Sequence, residues 1–485
     1  MAAPDAHPPT AAPAPDDSLA PSLTDGLAAI VGARHVLADP ADMAPYVSAA
    51  RYGGGRARLV VAPADAAQLS AVLRLCQARG VPTVPQGANT GLVGASTPDG
   101  SGAQVVLSLR RLTGTFDLDL DNRAVTVGAG WDLDSLNQRL EPHGLWFPVD
   151  ISASPSVGGM IATNAGGSRV LRYGDMRRNV LSLEAVLADG RIVGDRRGLR
   201  KNSTGLDLKQ LFIGTGGSFG IVATAVLDLQ PLPRQMATAL VVPADTGAIN
   251  GLLALLERRA GEYLSAFESM SGPALAAALH HRPQLRNPFG GGPVPAETIL
   301  VELMSATEPG TGLDLDALLL SILEQGYGDG VIADAIPGPP ADLWALRHAI
   351  SEGLRGLGRV IGLDISVARG RMSAFRAAAS DWVHQHHPDL LVCGFGHRGD
   401  GGDHFNLVIP RAVDADWPAD RVEAVRHGLY RLLVDGFDGS YSAEHGIGPV
   451  NLSFHRTFAD PVQQSLARLL QDHLDPAGLL GRVRW

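Results

Sequence analysis

Residues 214–222 read GTGGSFGIV, and the segment after this glycine-rich turn decides the fold of the first half of the chain. The glycines superficially resemble the G-x-G-x-x-G fingerprint of a Rossmann domain, which must open a helix near the start of a βαβ unit. Here the turn leads into IVATAVLDLQ (221–230), a β-branched run that is typical of a strand. The Rossmann fold is therefore excluded. A Walker loop is excluded too, because the chain contains no Gly-Lys-Ser/Thr.

The sequence before this turn predicts an α+β unit. ARLVVAP and VPTVP have the pattern of strands, and between them ADAAQLSAVLRLCQARG predicts an amphipathic helix that ends at Gly80. More short strands are predicted in AQVVLSL, RAVTVGAG and VLSLEAVLADGRIV. Beyond residue 232 the chain changes to Ala- and Leu-rich helices with isolated strands such as RVIGLDISVA and HFNLVIP.

These patterns divide the chain into three parts. Residues 1–22 are rich in Ala and Pro and lack a basic leader, so we expect a disordered tail rather than a secretory signal. Residues 23–232 form the α+β domain. Residues 233–485 form a second domain, with an antiparallel sheet flanked by helices and a C-terminal helical segment, PVQQSLARLLQDHLDP.

Composition limits the classes of function. The net charge of −10 without a basic patch argues against nucleic acid as a partner, which favours small-molecule chemistry. Two cysteines, Cys76 and Cys393, offer no disulfide framework and fit a reducing compartment such as the cytoplasm. No apolar run approaches the roughly 18 residues that span a bilayer. Peripheral contact with a membrane stays open, as does a homodimer.

Three glycine-rich loops indicate a dinucleotide ligand. They are PQGANTGLVGAS (85–96), the segment 148–174 that contains SVGGMIATNAGG, and the turn at 214–222. Glycine lets the backbone take positive φ and point successive N–H groups at a phosphate. One such loop is common in α/β proteins, whereas three in one domain favour a bound cofactor.

Four segments in order, PQGANTGLVGA, VGGMIATNAGG, VLSLEAVLADG and GTGGSFGIVATAVLDL, resemble the FAD-binding half of the vanillyl-alcohol-oxidase superfamily. The resemblance implies a two-subdomain FAD-binding domain of the PCMH type. It also implies that the FAD pyrophosphate is held by Gly87, Ala88, Asn89, Thr90 and Gly91, with further contacts from Pro85, Ser152, Ser156, Gly158, Gly159, Asn164, Gly166 and Ile221. No His or Cys occurs in the three loops, so we expect FAD to be bound non-covalently.

In the second domain, GHRGDGGDHFN (396–406) and SAEHGIG (442–448) resemble two motifs of the D-lactate and D-2-hydroxyglutarate dehydrogenase branch. The one departure is Gly402, where the family pattern has Asn. The resemblance implies that His397, His404 and Glu444 bind a divalent metal. Two imidazoles and a carboxylate suit Zn²⁺, with Mn²⁺ as the alternative, and leave coordination positions open for substrate.

The same resemblance implies an oxidation of a D-2-hydroxy acid to the 2-oxo acid, with hydride transfer to flavin N5. His445 would accept the hydroxyl proton near neutral pH. Arg347 matches the W-x-x-R pattern of the branch and would bind a substrate carboxylate, assisted by Ser351 and Asn406. Two alternatives stay open, namely an oxidase that uses O₂ and a flavin- or metal-binding protein without turnover.

The electron acceptor and the substrate side chain are less defined. Without a heme motif, iron–sulfur ligands or an NAD fingerprint, electrons must pass to an external acceptor such as an electron-transfer flavoprotein, a quinone or a cytochrome.

Relatives that oxidise D-2-hydroxyglutarate carry a Lys where this chain has Gly362. An unpaired carboxylate would be costly to bury there, so we predict a preference for monocarboxylic acids, unless Arg359 or Arg369 reaches the pocket.

Overall fold

The fold of the first half consists of short strands in small sheets, packed on helices. The computed structural model describes residues 20–49, 51, 53–151 and 153–485. Its first helices are α1 (Ala20–Val31), α2 (Pro40–Val47), α3 (Ala66–Ala78), α4 (Leu133–Leu140), α5 (Val157–Thr163), α6 (Val170–Tyr173) and α7 (Met176–Asn179). The strands are β1 (Val36–Leu37), β2 (Leu59–Val61), β3 (Thr83–Gln86), β4 (Val105–Ser108), β5 (Phe116–Asp119), β6 (Ala124–Gly128), β7 (Leu145–Trp146), β8 (Val180–Val186), β9 (Ile192–Gly194), β10 (Ile221–Asp228) and β11 (Gln230–Pro231).

Two sheets share one core in this half. The first has the strand order β1-β2-β4-β3, with β2, β4 and β3 parallel, and α3 connects β2 to β3 as the sequence predicts. The second is antiparallel, in the order β5-β6-β10-β8-β9. Helix α3 contacts α1 as well as β8 and β10, so it joins the two sheets. The segment after the turn at 214–222 is strand β10, which confirms the rejection of a Rossmann fold.

The second half is built on one large antiparallel sheet. Among the described residues its strand order is β15-β12-β14-β13-β17-β18-β16. The strands are β12 (Gln235–Pro243), β13 (Leu264–Ser271), β14 (Glu297–Ser305), β15 (Ile332–Pro337), β16 (Gly358–Ser366), β17 (Leu391–Gly396) and β18 (Gly402–Pro410). The helices are α8 (Ala248–Ala260), α9 (Gly272–His281), α10 (Leu315–Gly328), α11 (Pro340–Leu357), α12 (Met372–His386), α13 (Ala419–Phe437), α14 (Leu452–Phe458) and α15 (Pro461–Leu474).

Alternation along the strands gives this sheet two apolar faces. In β14, Ile299 and Val301 pack with α8 and α10, whereas Leu300 packs with α9 and α11. In β18, Leu407 packs with α12 and α13, and its neighbour Val408 faces α9 and α11. A strand buried on both sides must carry apolar residues at successive positions, which explains runs such as ILVEL and NLVI. The predicted α+β fold, with a helix-flanked antiparallel sheet in the second domain, is confirmed.

Two details differ from the linear division of the sequence. Helix α1 begins at Ala20, inside the segment predicted as a tail, and the rest of that segment lies outside the described residues. At the other end, the chain returns to the first half, because the Thr83 amide donates to Leu479 O (2.7 Å) and the Gly481 amide donates to Thr83 O (2.8 Å). The terminal Trp485 indole donates to Ser218 Oγ (2.9 Å). Leu480 is therefore part of the core of the first half, and Trp485 packs against that core.

Candidate active site

One cavity of about 660 Å³ lies between the two halves. From the first half it is lined by all three glycine-rich loops. From the second half it is lined by residues of α11, β16 and β18 and by the loop that carries Glu444 and His445. The cofactor loops and the histidine motifs, which are far apart in the sequence, thus face the same space.

Some of the glycines in these loops lie in close contact with neighbouring residues. Ser156 caps helix α5, and its Oγ accepts a hydrogen bond from the Gly159 amide (3.2 Å). A Cβ at Gly87 would collide with this hydroxyl, so only glycine fits after strand β3. Asn89 takes a positive φ of 62°. Gly87, Gly158, Gly159 and Gly166 line the cavity, so the backbone itself borders the cavity at these positions, as a pyrophosphate group requires.

Most of the residues predicted to bind FAD line this cavity. They are Pro85, Gly87, Ala88, Asn89, Thr90, Gly91, Ser156, Gly158, Gly159, Gly166 and Ile221. Asn164 is different, because it is not among the residues that line the cavity. Its side chain donates to Asp175 Oδ2 (2.7 Å) and accepts from the Arg177 amide (3.0 Å), so it holds the C-terminal end of α5 in place. Ser152 lies outside the described residues.

Two histidines and a glutamate meet on the opposite wall. His397 follows β17, His404 lies in β18, and Glu444 lies in the loop after α13. Glu444 Oε2 is 3.4 Å from His397 Nε2, and Glu444 Oε1 is 3.3 Å from His404 Nε2. Both imidazoles therefore direct the same ring nitrogen at one carboxylate, and the three predicted metal ligands converge.

Glu268, a fully buried residue of β13, orients the first of these histidines. Its Oε1 is 2.7 Å from His397 Nδ1, and its Oε2 accepts a hydrogen bond from Arg347 Nε (2.8 Å) and forms an ion pair with Arg347 Nη2 (2.8 Å). Burial alone would raise the pKa of Glu268, but the positive charges of His397 and Arg347 lower it to about 2. An ionised carboxylate on Nδ1–H leaves Nε2 as a ligand atom, the usual arrangement behind a metal-bound histidine.

The charge balance of this wall fits a cation. Burial lowers the pKa of His397, but the carboxylates of Glu268 and Glu444 raise it well above the ordinary value. Burial likewise raises the pKa of Glu444, and the neighbouring histidines hold it well below the ordinary value. The buried carboxylates lie beside two imidazoles, and a cation bound between them would balance the negative charge. Carboxylates and imidazoles together are a suitable set of ligands for a divalent metal.

Asp364 in β16 anchors the loop of Glu444. Its Oδ2 accepts hydrogen bonds from the backbone amides of Glu444 (3.0 Å) and His445 (2.9 Å). Its Oδ1 is buried without a hydrogen-bond partner and lies 3.8 Å from His404 Nδ1. Asp364, His404, Glu444 and His445 also offer donor atoms within 4.8 Å of one another. Asp364 is therefore a further candidate donor in the same cluster.

His445 has the surroundings of a general base. Its ring stacks on His404 at 5.5 Å between centroids, with 11° between the planes. Nδ1 lies 3.5 Å from Asp364 Oδ2, and Nε2 lies 3.7 Å from Glu444 Oε1. Burial lowers the pKa of His445, although the carboxylates of Asp364 and Glu444 oppose this effect. A neutral imidazole with Nδ1 turned to Asp364 keeps Nε2 available to accept a proton.

The residues predicted to contact substrate also line the cavity. Arg347 and Ser351 lie one turn apart on α11, and Asn406 lies in β18. The Arg347 guanidinium is 4.5 Å from the centre of the Phe395 ring. Its pairing with Glu268 was not predicted, and it fixes the side chain at the edge of the histidine cluster.

The structure places a positive charge near Gly362 that the sequence analysis did not predict. Arg369 pairs with Glu257 and does not line the cavity, whereas Arg359 lines the cavity and donates to Asp414 Oδ1 (2.7 Å). Instead, a Cβ at Gly362 would lie 2.5 Å from Nη2 of Arg51. The premise that no charge is available at this position is therefore wrong.

Within the described residues, no helix has the length and apolar character that crossing a membrane requires. Cys393 is fully buried in the core of the second half.

Comparisons with known proteins agree with this architecture. Residues 57–194 match the model of an FAD binding domain, and residues 232–483 match the C-terminal domain of FAD linked oxidases. Solved structures with the same fold include p-cresol methylhydroxylase with substrate bound, at a TM-score of 0.72 and 15% identity, covering 96% of both chains. An alkyldihydroxyacetonephosphate synthase has a TM-score of 0.71 at 14% identity, covering 95% of this chain and 84% of the other.

The curated relatives are more similar in sequence. A D-2-hydroxyglutarate dehydrogenase of Xanthomonas citri pv. viticola is 36% identical over 428 residues, which is 87% of each chain. One of Stutzerimonas stutzeri is 31% identical over 95% of this chain and 98% of the relative, and a mitochondrial one of Bos taurus is 32% identical over 94% and 82%. The chain therefore belongs to the FAD-linked oxidoreductases of the vanillyl-alcohol-oxidase superfamily, in their D-lactate and D-2-hydroxyglutarate dehydrogenase-like branch.

Proposed function

We propose that this protein is an FAD-dependent, metal-assisted dehydrogenase that oxidises a D-2-hydroxy acid to the 2-oxo acid. The observation that carries this proposal is that the glycine-rich cofactor loops and the cluster of His397, His404, Glu444 and His445 line one cavity. The names of the curated relatives support the same reaction class.

The chain's own groups provide for both parts of the oxidation. FAD, when bound, supplies the hydride acceptor, and a divalent cation held by His397, His404 and Glu444 would lower the pKa of the substrate hydroxyl. His445 Nε2 accepts the proton as the O–H bond breaks, and the electron pair of the C2–H bond leaves as hydride while the C=O bond forms. Asp364 stabilises the imidazolium at Nδ1, 3.5 Å away.

The substrate is held by groups beside this cluster. Arg347 binds the carboxylate next to the reacting carbon, because a guanidinium forms paired hydrogen bonds with a carboxylate. Ser351 adds a hydroxyl from the next turn of α11, and Asn406 contacts the substrate near C2. Glu268 keeps Arg347 and His397 in a fixed relation, since it bonds to both. Zn²⁺ is the metal that we propose, with Mn²⁺ as the alternative.

FAD should be released intact by acid or denaturant, because no His or Cys lies in the glycine loops that would tether it covalently. The measurement is the flavin absorbance of the supernatant after acid precipitation of the yellow protein. We expect it to hold all of the flavin. Flavin that remains with the washed precipitate would show a covalent bond.

Electrons then leave to an external acceptor, for which an electron-transfer flavoprotein, a quinone and a cytochrome are the candidates. A homodimer, a cytoplasmic location and peripheral membrane contact stay predictions of the sequence.

A substrate panel tests the proposed function. D- and L-2-hydroxy acids are supplied to the metal-loaded holoprotein with an artificial electron-accepting dye, and oxygen uptake is recorded in parallel. We expect dye reduction with D-acids and little with L-acids. Rapid oxygen uptake without dye would favour the oxidase alternative, and an inactive yellow protein would favour a non-catalytic binding protein.

A further inference from the structure

We propose that Arg51 binds the distal carboxylate of the substrate, so that the preferred substrates are dicarboxylic D-2-hydroxy acids. This inference rests on the proposed function, because it concerns the far end of the same substrate. It assigns specificity to a residue of the FAD half, outside every motif that the sequence offers.

The first support is the position of the Arg51 guanidinium. An ideal Cβ on Gly362 would lie 2.5 Å from Nη2 of Arg51 and 3.0 Å from both Cζ and Nη1. The guanidinium therefore fills the space that a side chain at position 362 would take. Gly362 is not among the glycines with positive φ, so its backbone does not require glycine. What the missing side chain provides is room for Arg51.

The second support is the place of Gly362 relative to the reacting groups. In the β16–β18 pair, Gly362 lies opposite Asn406, and Asp364 lies opposite His404. Residues two positions apart in a strand lie on the same face of the sheet. Gly362 therefore lies on the same face of β16 as Asp364, the residue that anchors Glu444 and His445. Arg51, Gly362, Asn406 and His445 all line the cavity.

The third support is the arrangement of two guanidinium groups about the histidine cluster. Arg347 is joined to it through Glu268 and His397. Arg51 lies against Gly362, two residues before Asp364 on strand β16. A 2-hydroxy acid whose hydroxyl and first carboxylate lie at the cluster can extend its remaining chain along the cavity wall to Arg51. A second carboxylate there forms a charge-assisted pair, whereas a methyl group cannot form one.

This replaces the monocarboxylic preference predicted from Gly362. That prediction treated the position as uncharged, since nearby residues in sequence offered only Arg359 and Arg369. The positive charge is instead supplied across the cavity by the other half of the protein.

The test compares D-2-hydroxyglutarate with D-2-hydroxyvalerate, which has the same carbon chain but ends in a methyl group. The measured quantity is the ratio of kcat/KM for the two acids. Arg51→Ala should lower this ratio about 10- to 100-fold, since a hydrogen bond to a charged group contributes roughly 1.5–3 kcal/mol. The matched control is Arg56→Ala, which removes an exposed arginine that does not line the cavity and should leave the ratio within about twofold of the wild type.

Two further variants separate the role of the charge from a general loss of structure. Gly362→Ala keeps Arg51 but displaces its guanidinium, and should lower the ratio as well. Arg51→Ala combined with Gly362→Lys moves the cation to the strand, and should raise the ratio about tenfold or more above that of Arg51→Ala alone. Flavin content and the thermal midpoint show whether each variant is folded.

Each outcome decides the inference. A wild-type protein that favours D-2-hydroxyvalerate overturns it, and so does an unchanged ratio in both Arg51→Ala and Gly362→Ala. In those cases the oxidation of D-2-hydroxy acids still stands. If the wild type oxidises no 2-hydroxy acid at all, the proposed function itself fails.

Discussion

Replacing His404 with alanine is expected to abolish hydroxy-acid oxidation while FAD stays bound. His404 and His397 each direct Nε2 at Glu444 from about the same distance, 3.3 and 3.4 Å, so removal of either imidazole breaks the proposed metal site. The glycine loops that we propose hold FAD belong to the other wall of the cavity. Loss of a metal that acidifies the substrate hydroxyl should raise the activation free energy by several kcal/mol. This corresponds to a decrease in kcat of about a thousandfold or more.

The measurements are turnover, bound metal by elemental analysis and flavin content by absorbance. His384→Ala is the matched control, because it removes an exposed histidine of α12 that is outside the cavity lining. Chelator treatment of the wild type should reproduce the loss, and added Zn²⁺ or Mn²⁺ should reverse it. Full activity in a demonstrably metal-free preparation would remove the metal from the mechanism.

Replacing His445 with asparagine is expected to keep both metal and FAD but to lower kcat about 10²- to 10⁴-fold, the usual contribution of general-base catalysis. Asparagine retains polarity at this position, so the hydrogen bond from the residue 445 amide to Asp364 should persist. The side chain can no longer accept the hydroxyl proton.

Steady-state kcat is the quantity to compare, with metal and flavin content measured on the same samples. A variant with wild-type kcat would show that another group takes the proton. A variant that loses its metal would place His445 among the ligands, because His445 offers a donor atom to the same cluster.

The sequence predicted those parts of the site that are carried by local patterns. The turn at 214–222 leads into β10 because β-branched residues follow it. The loop at 85–96 begins at the end of β3, a strand that the sequence also predicts. The histidines were found because they lie in two short motifs. Sequence spacing alone could not show that the motifs meet, since His404 and Glu444 are brought together only by the folding of α13 over the sheet.

Glu268 and Arg51 could not be predicted, for physical reasons. Glu268 lies in LSAFESMS, a strand with no recognisable motif, and its role depends on the pairing of β13 with β17, which brings Ser269 opposite Gly396 next to His397. Arg51 lies between helix α2 and strand β2 of the first half, outside any predicted strand or helix. Its importance depends on contact with β16 of the other half, a contact that no periodicity or spacing encodes.

The most direct test of the central claim is anaerobic mixing of the FAD- and metal-loaded protein with D-2-hydroxyglutarate. The visible absorbance of the flavin is followed, and the product is identified after the reaction. The account predicts that the flavin band bleaches and that one equivalent of the 2-oxo acid forms, with no bleaching by the L-enantiomer. Flavin that stays oxidised with every D-2-hydroxy acid tested, in protein shown to contain both FAD and metal, would contradict it.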